Sequence, residues 1–145
     1  MSDRNKGFTV IEVLISMGIL AILVGITTPF LLHFYRRYQL DSERSTMIAL
    51  MRQARSLSMD GESSADHGVH IASSQFTLFT GSSYALRDAA KDQTFGRTDV
   101  VAITGSSSIV FRYLTGKTSS LSFTLDDGTK TGRIYVNTEG RIDWQ

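Results

Sequence analysis

Cysteine is absent from this 145-residue chain, and the only proline is Pro29. Without cysteine the chain has no disulfide framework, no thiolate nucleophile and no cysteine metal site. A strong basic excess is absent as well, because 15 lysine and arginine residues face 14 aspartate and glutamate residues, for a formal net charge of +1. Proteins dedicated to nucleic-acid binding usually carry such an excess, so the composition argues against that class.

Motifs for catalysis or metal binding are also missing. The sequence contains neither a phosphate loop nor a dinucleotide fingerprint. On a strand, His67 and His70 would point to opposite faces, so with His33 they are expected at the surface and not in a metal set. Three acids in one loop could offer oxygen ligands to calcium, although their spacing favours a solvated turn. These acids are Asp60, Glu62 and Asp66. We therefore predict no enzymatic activity, no cofactor and no metal.

A long apolar run follows a short polar leader. Residues 1–7 are polar and include Arg4 and Lys6, whereas residues 8–32 contain one charged side chain, Glu12. A helix needs about 20 apolar residues to cross a bilayer, and this run is long enough. A cleaved secretory signal has a shorter apolar region followed by a small-residue site, and the run shows neither feature. We predict a transmembrane helix over residues 8–32 that is retained as an anchor.

Residues 33–59 are predicted to continue as an amphipathic helix. Apolar side chains recur there at helical spacing, and arginines occupy the other face. The apolar positions are Leu40, Met47, Leu50, Met51, Ala54 and Leu57. Pro29 interrupts the pattern and predicts a kink or a local loosening, because proline lacks the N–H that a helix requires. The apolar stripe must be covered wherever this helix projects into water.

Beyond a polar breaker the pattern changes to a period of two, which is typical of strands. The predicted strands are Gly68–Ile71, Gln75–Thr80, Val100–Ile103, Ile109–Leu114, Leu121–Leu125, Ile134–Asn137 and Arg141–Trp144. Asp127-Gly128, in a turn with an exposed tip, and Glu139-Gly140 are predicted hairpin turns. Residues 81–98 have no assignable pattern. The predicted fold class is α+β, with one long N-terminal helix packed on a small antiparallel β-sheet domain over residues 60–145.

The first residues of the apolar run resemble a known processing signal. Lys6-Gly7-Phe8-Thr9-Val10-Ile11-Glu12, followed by the apolar run, resembles the N-terminal signal of type IV prepilins and of type II secretion pseudopilins. The resemblance combines a short basic leader, a glycine before a bulky apolar residue, a glutamate five residues after the cut, and an uncleaved span. The β-rich part is similar only in outline, as in GspH/FimT-like minor pilins.

The resemblance implies a processing route and an assembly role. A membrane aspartic peptidase would cut between Gly7 and Phe8 on the cytoplasmic face and then methylate the new Phe8 amine. Glu12 would pair with the Phe8 amine of a neighbouring subunit in the filament core, where the low dielectric favours one register. The implied partners are other pilin subunits, the peptidase, an inner-membrane assembly platform and the lipid bilayer. The implied location is the cytoplasmic membrane, then a periplasmic or extracellular filament.

Three functions remain open from the sequence. The chain is predicted to be a major or minor subunit of a type IV pilus-like filament, or a pseudopilin of a type II secretion system. A single-span membrane protein with a ligand-binding β ectodomain is the alternative of another class. Some competence minor pilins carry a C-terminal Gly-Arg-x-Arg element that touches DNA. Here the tail reads Gly140-Arg141-Ile142-Asp143, and Asp143 would repel phosphate, so nucleic acid is a disfavoured partner.

Overall fold

The computed structural model describes residues 7–61 and 64–145, and for residues 27–33 it describes the backbone alone. Most of the predicted leader 1–7 and the acid Glu62 therefore lie outside the described residues. The chain divides into two compact units, Met1–Tyr35 and Arg36–Gln145. Among the described residues, the long helix has residues in both units, and the strands belong to the second.

Helix α1 runs from Val10 to Asp60, a length of 51 residues. Its backbone is helical at position 29, where a kink was predicted. The side chain of Pro29 lies outside the described set. Among the described residues, no helix combines the length and apolarity needed to cross a membrane. The predicted span 8–32 includes residues 27–32, whose side chains lie outside that set.

Within residues 7–61 and 64–145, eight strands form two four-stranded antiparallel sheets, where one small sheet domain was expected. The first sheet has the order β3-β2-β1-β5 and the second β4-β6-β7-β8. The strands are β1 His67–Ile71, β2 Gln75–Thr80, β3 Gln93–Gly96, β4 Ala102–Gly105, β5 Ser108–Phe111, β6 Leu121–Asp126, β7 Thr131–Val136 and β8 Ile142–Trp144. The predicted antiparallel pairing is thus present in both sheets.

The predicted apolar stripe of α1 forms the centre of the second unit. Met47, Met51 and Ala54 are fully buried, Leu40 and Leu50 nearly so, and Leu57 packs at the edge of the same cluster. Both sheets contribute to this core. Their buried members are Val69, Phe76, Leu78, Ile109, Phe111, Phe123, Leu125, Ile134 and Val136. The 3.6-residue periodicity therefore identified the buried face of the helix correctly.

Several predicted strands differ from the observed ones at their ends: the strand predicted at Ile134–Asn137, for example, runs from Thr131 to Val136. Two others show a physical reason. The strand predicted at Val100–Ile103 begins only at residue 102, because Val101 enters the core from a bend and its carbonyl accepts a hydrogen bond from Arg97. The strand predicted at Ile109–Leu114 ends at residue 111. Leu114 has a positive φ of 61°, and its N–H donates to the carbonyl of Ser58 at 2.8 Å. In both places a hydrogen bond outside the sheet replaces the next rung of the ladder.

The unassigned residues 81–98 contain a short 3-10 turn, Ala89–Lys91, and strand β3. An aromatic cluster holds this segment against β1. The imidazole of His70 stacks on the ring of Tyr84, with 3.7 Å between ring centroids, and the guanidinium of Arg87 lies 3.8 Å from the Tyr84 centroid. Arg87 also donates to the Asp92 carboxylate at 2.7 Å. Partial burial, and then the nearby charge of Arg87, lower the pKa of His70.

The prediction that the histidines lie at the surface was wrong for one described residue. His67 is buried at the start of β1, with its N–H donating to the Ser58 hydroxyl at 3.0 Å. His70 is half-buried under Tyr84. His33 lies outside the described side chains.

A buried ion pair ties α1 to the loop that follows β3. Glu43 lies on α1 but is buried, and one carboxylate oxygen accepts the N–H of Thr98 at 2.8 Å. The other carboxylate oxygen lies 3.8 Å from Nε of Arg97, whose side chain is only 5% exposed. Arg97 further donates to the carbonyls of Ala72 and Val101. The helix, the turn before β2 and the loop before β4 are therefore joined at one point.

Replacing Glu43 with alanine is expected to destabilise the second unit by about 3 kcal/mol, because a buried guanidinium loses its counter-charge. The measurement is urea unfolding of a chain that begins at Arg36. The fluorescence of the single tryptophan, Trp144, reports the unfolding. The matched control is Glu139→Ala, which removes an exposed pair with Lys117 at 3.2 Å and should cost about 0–1 kcal/mol. Equal losses in the two variants would contradict the role of Glu43.

The pKa of His70 also predicts a pH dependence. Because the folded state lowers this pKa below 6.5, the unfolded chain binds the proton more readily. The free energy of unfolding should therefore fall as pH drops through 6.5 and level off once the folded state protonates as well. His70→Phe keeps a ring on Tyr84 but has no titrating group. Its free energy of unfolding should therefore fall less between pH 7.5 and 5.5 than that of the unchanged protein. Identical profiles for the two proteins would disprove the assignment.

Candidate functional site

The predicted cleavage bond lies just before the first turn of α1. Residues 7–9 have no regular secondary structure, and the helix begins at Val10. Phe8 is 83% exposed, and among the described residues no atom beyond Gly7 and its chain neighbours lies within 4 Å of the place where Gly7 would carry a Cβ. The bond between Gly7 and Phe8 is thus reachable and lies in non-helical backbone. A helical bond would have to unwind before it could enter a peptidase.

Thr9 caps the helix directly after this bond. Its hydroxyl oxygen accepts the N–H of Glu12 at 3.3 Å, and its carbonyl accepts the N–H of Val13 at 3.2 Å. This is one half of a Thr-x-x-Glu capping box, in which the threonine oxygen accepts an N–H that the first turn leaves without a partner. Sequence reasoning missed Thr9, although the spacing from Thr9 to Glu12 is the signature of such a cap.

Glu12 is the acid of the first helical turn, where the positive end of the helix dipole favours a negative charge. Its carbonyl accepts the Ser16 hydroxyl at 2.7 Å. Every described side chain from Phe8 to Ile26 is exposed, Glu12 included. The structure therefore brings Gly7, Phe8 and Glu12 within six consecutive residues at the start of an exposed apolar helix. Such a surface requires lipid or other apolar helices to cover it in the cell.

A second charged feature joins the start of the second unit to the β6–β7 turn. The carboxylate of Asp127 accepts the N–H groups of Thr129 and Lys130 at 2.7 and 2.6 Å. Burial alone would raise the pKa of Asp127, but these hydrogen bonds and the charges of Arg36 and Arg37 lower it overall. The predicted hairpin turn is present, with Gly128 at a φ of 82°. Its tip is only partly exposed, because Asp127 is buried.

The other sequence candidates have structural explanations. Asp66 and Asp60, weighed as calcium ligands but expected in a solvated turn, have protein partners: Asp66 accepts the N–H of Tyr113 at 2.8 Å, and Asp60 accepts the hydroxyl of Ser56 at 3.3 Å. Within residues 7–61 and 64–145, no group of three or more His, Asp or Glu side chains is arranged to hold a metal ion. In the tail, Nε of Arg141 donates to Asp143 at 3.1 Å. The acid that replaces the second arginine of the Gly-Arg-x-Arg element therefore pairs with the first.

Comparisons with known proteins agree with the N-terminal signal and the fold. Residues 2–28 match the prokaryotic N-terminal methylation motif, which confirms the predicted prepilin-type N-terminus. No curated protein matches the chain. Among solved structures, the minor pseudopilin EpsH from the type 2 secretion system of Vibrio cholerae is similar, with a TM-score of 0.57 at 7% identity. The similarity covers 74% of this chain and 96% of that one, and it confirms the predicted α+β fold.

Proposed function

We propose that this chain, with its prepilin-type N-terminus and pseudopilin-like fold, is a structural subunit of a type IV pilus-like filament. The observation that carries the proposal is the coincidence of three features at one place. The N-terminal methylation motif covers residues 2–28, the Gly7–Phe8 bond lies in exposed non-helical backbone, and an exposed apolar helix follows at once. Each feature is needed for a precursor that is cut and then packed through its N-terminal helix.

The first step of the proposed route is processing. A membrane peptidase cuts between Gly7 and Phe8, and the new amine of Phe8 is methylated. The amine then lies just before the Thr9 cap, and the cap does not depend on the leader, since its bonds join Thr9 to Glu12 and Val13. The helix start therefore survives the cut. The chain is the substrate of this chemistry and not its agent.

The second step is assembly through the exposed helix. Neighbouring helices cover one another's apolar side chains, and burial contributes about 25 cal/mol for each Å² removed from water. Burial also moves Glu12 into a medium where an unpaired carboxylate is costly. The Phe8 amine of another subunit supplies the opposite charge, so that one axial register is favoured over others. The apolar contacts provide the strength of packing, and the ion pair provides its register.

Location and partners follow from the same route. The precursor is anchored in the cytoplasmic membrane by the apolar segment 8–32, with the second unit outside. The partners are other pilin-type subunits, the peptidase and an inner-membrane assembly platform. The product is a periplasmic or extracellular filament.

A second candidate function is a pseudopilin of a type II secretion system. The fold similarity to the minor pseudopilin EpsH favours it, because the match covers nearly all of that chain. Both candidates share the processing and assembly steps and differ in the machine that the filament serves. Neighbouring genes for a secretion channel, or the amount of the chain in sheared surface filaments, distinguish them.

Gly7→Leu is expected to block cleavage, because a bulky side chain at the residue before the cut fills space that the peptidase requires. Full-length precursor should accumulate and run above the mature band on an immunoblot. The matched control is Gly18→Leu, in the same helix, where there is also open space around the glycine. Complete processing of Gly7→Leu would disprove the cleavage assignment.

Glu12→Ala is expected to leave membrane insertion and cleavage intact but to prevent incorporation. Removing one partner of a buried ion pair costs roughly 3–5 kcal/mol, which is enough to take the variant below detection in the filament. The measurement compares the mature band in whole cells with that in sheared filaments. Ser16→Ala, one turn further on, removes a hydroxyl from the same exposed face and should assemble normally. Normal incorporation of Glu12→Ala would refute the assembly role.

A further inference from the structure

A basic groove lies where the end of α1 meets the β7–β8 turn. Its volume is about 580 Å³, and its charged walls include Arg52 and Arg55 from the helix and Arg141 from the turn. Met59 and Ile142 add apolar surface. Three guanidinium groups face one acid, Asp60, in the lining, so the groove carries a net positive charge in a chain that is almost neutral.

The arginines of the groove are held to different degrees. Arg55 donates to the carbonyl of Glu139 at 3.3 Å, while its Nε is buried and finds no hydrogen-bond partner within residues 7–61 and 64–145. Arg52 is exposed and has no side-chain partner in the part of the chain that the structure describes. Because the two residues are three apart on α1, they lie on neighbouring positions of one helix face. Together they offer donors to a single carboxylate.

The lining favours a carboxylate with an apolar neighbour over a long polyanion. Asp60 lies in the groove, and the carboxylate of Asp143 accepts a hydrogen bond from Nε of Arg141. Both acids would repel a phosphate backbone that passed along the surface. A single acidic side chain can avoid them, and an adjacent apolar residue can cover Met59, which is 45% exposed.

The chain itself presents such a pair on a rigid turn. Asp99 and Val100 are consecutive and exposed, and Asp99 has no side-chain partner among the described residues. The turn is fixed on both sides. The N–H of Thr98 donates to Glu43, the Thr98 hydroxyl accepts the N–H of Val100 at 3.3 Å, and the Arg97 side chain is buried. A preformed turn loses little conformational freedom on docking.

The turn and the groove lie on opposite sides of α1. Glu43, which holds the turn, precedes Arg52 by nine residues, and nine residues of an α-helix correspond to a rotation of about 180° beyond two full turns. The groove residues Arg52 to Met59 lie roughly 14–24 Å further along the helix axis. One copy cannot bring its own turn into its own groove, but a second copy displaced along the axis can.

We infer that the Asp99-Val100 turn of one subunit docks into the groove formed by Arg52, Arg55 and Arg141 of the next. Asp99 accepts hydrogen bonds from the guanidinium groups, and Val100 covers Met59 and Ile142. The contact is head-to-tail, so two joined subunits still leave one turn free at one end and one groove free at the other, and the contact propagates along a filament. The inference rests on the proposed filament function and adds a specific subunit contact to it.

Cross-linking in filaments of the full chain tests the contact. Because the chain has no native cysteine, only the introduced cysteines of this chain can react. Arg52→Cys and Asp99→Cys are introduced together and treated with a short bismaleimide, because an arginine–carboxylate pair separates its Cα atoms by more than the roughly 4.4–6.8 Å that a disulfide spans. We expect a ladder of dimers, trimers and larger species. Arg52→Cys alone should give no ladder. The control pair combines Asp99→Cys with Arg133→Cys, an exposed position of β7 outside the groove, and should also give none.

A charge exchange gives the second readout. Arg52→Asp or Asp99→Arg alone should lower incorporation into filaments by about tenfold or more, because like charges then meet in the contact. The two changes combined should restore it. Arg133→Asp is the control and should assemble normally. Single defects without restoration, or normal assembly of the single variants, would overturn the contact.

The outcomes separate this inference from the proposed function. Filaments that contain the chain but give no ladder would refute the contact and leave the filament function standing. Absence of the chain from sheared filaments would refute both. If duplex DNA bound the detergent-solubilised chain and Arg52→Asp abolished that binding without any ladder in filaments, the groove would belong to nucleic acid and the subunit contact would be wrong.

Discussion

The structure depends on the burial of one stripe of α1 beneath two antiparallel sheets. The stripe from Leu40 to Leu57 supplies the apolar surface on which both sheets close, and it includes Met47 and Met51, which are fully buried. Once this face is fixed, the other residues of the helix within the second unit have defined directions. Glu43 meets the loop after β3, whereas Arg52 is left to solvent beside the β7–β8 turn. The charged features follow from the packing of the apolar ones.

The N-terminal part of α1 obeys a different constraint. From Phe8 to Ile26 the helix exposes its apolar side chains, so its surface suits lipid and other helices better than water. The polar residues described there, Thr9, Glu12 and Ser16, lie at the helix start, where the hydroxyls of Thr9 and Ser16 bond to the backbone N–H and carbonyl of Glu12. A helix of this kind can exchange one apolar environment for another without losing its start. That property suits a subunit that leaves a bilayer to enter a filament.

Sequence reasoning recovered the parts of the fold that local pattern controls. The buried face of α1 follows from its 3.6-residue period, and β2 was predicted at its observed bounds, Gln75–Thr80. The errors arose where contacts with residues distant in the sequence determine the local structure. Val101 reads as strand but is held in a bend by Arg97, and the Glu43–Arg97 pair joins residues 54 positions apart. At the predicted cleavage site, Gly7 and Glu12 were assigned from the resemblance and stay predictions, while the Thr9 cap was missed although its spacing to Glu12 is visible in the sequence.

Two kinds of contact therefore have different tasks in assembly. Apolar packing between N-terminal helices is strong but tolerates sliding and rotation, because it depends on area and not on direction. Charged contacts are weaker where water reaches them, yet they penalise every arrangement that leaves a charge unpaired. A chain with a net charge of only +1 can make such contacts if its charges are segregated, as they are between Arg52 and Asp99 on opposite sides of α1. Segregated charge on a nearly neutral subunit gives the polymer a direction without giving it a large net charge that would oppose growth.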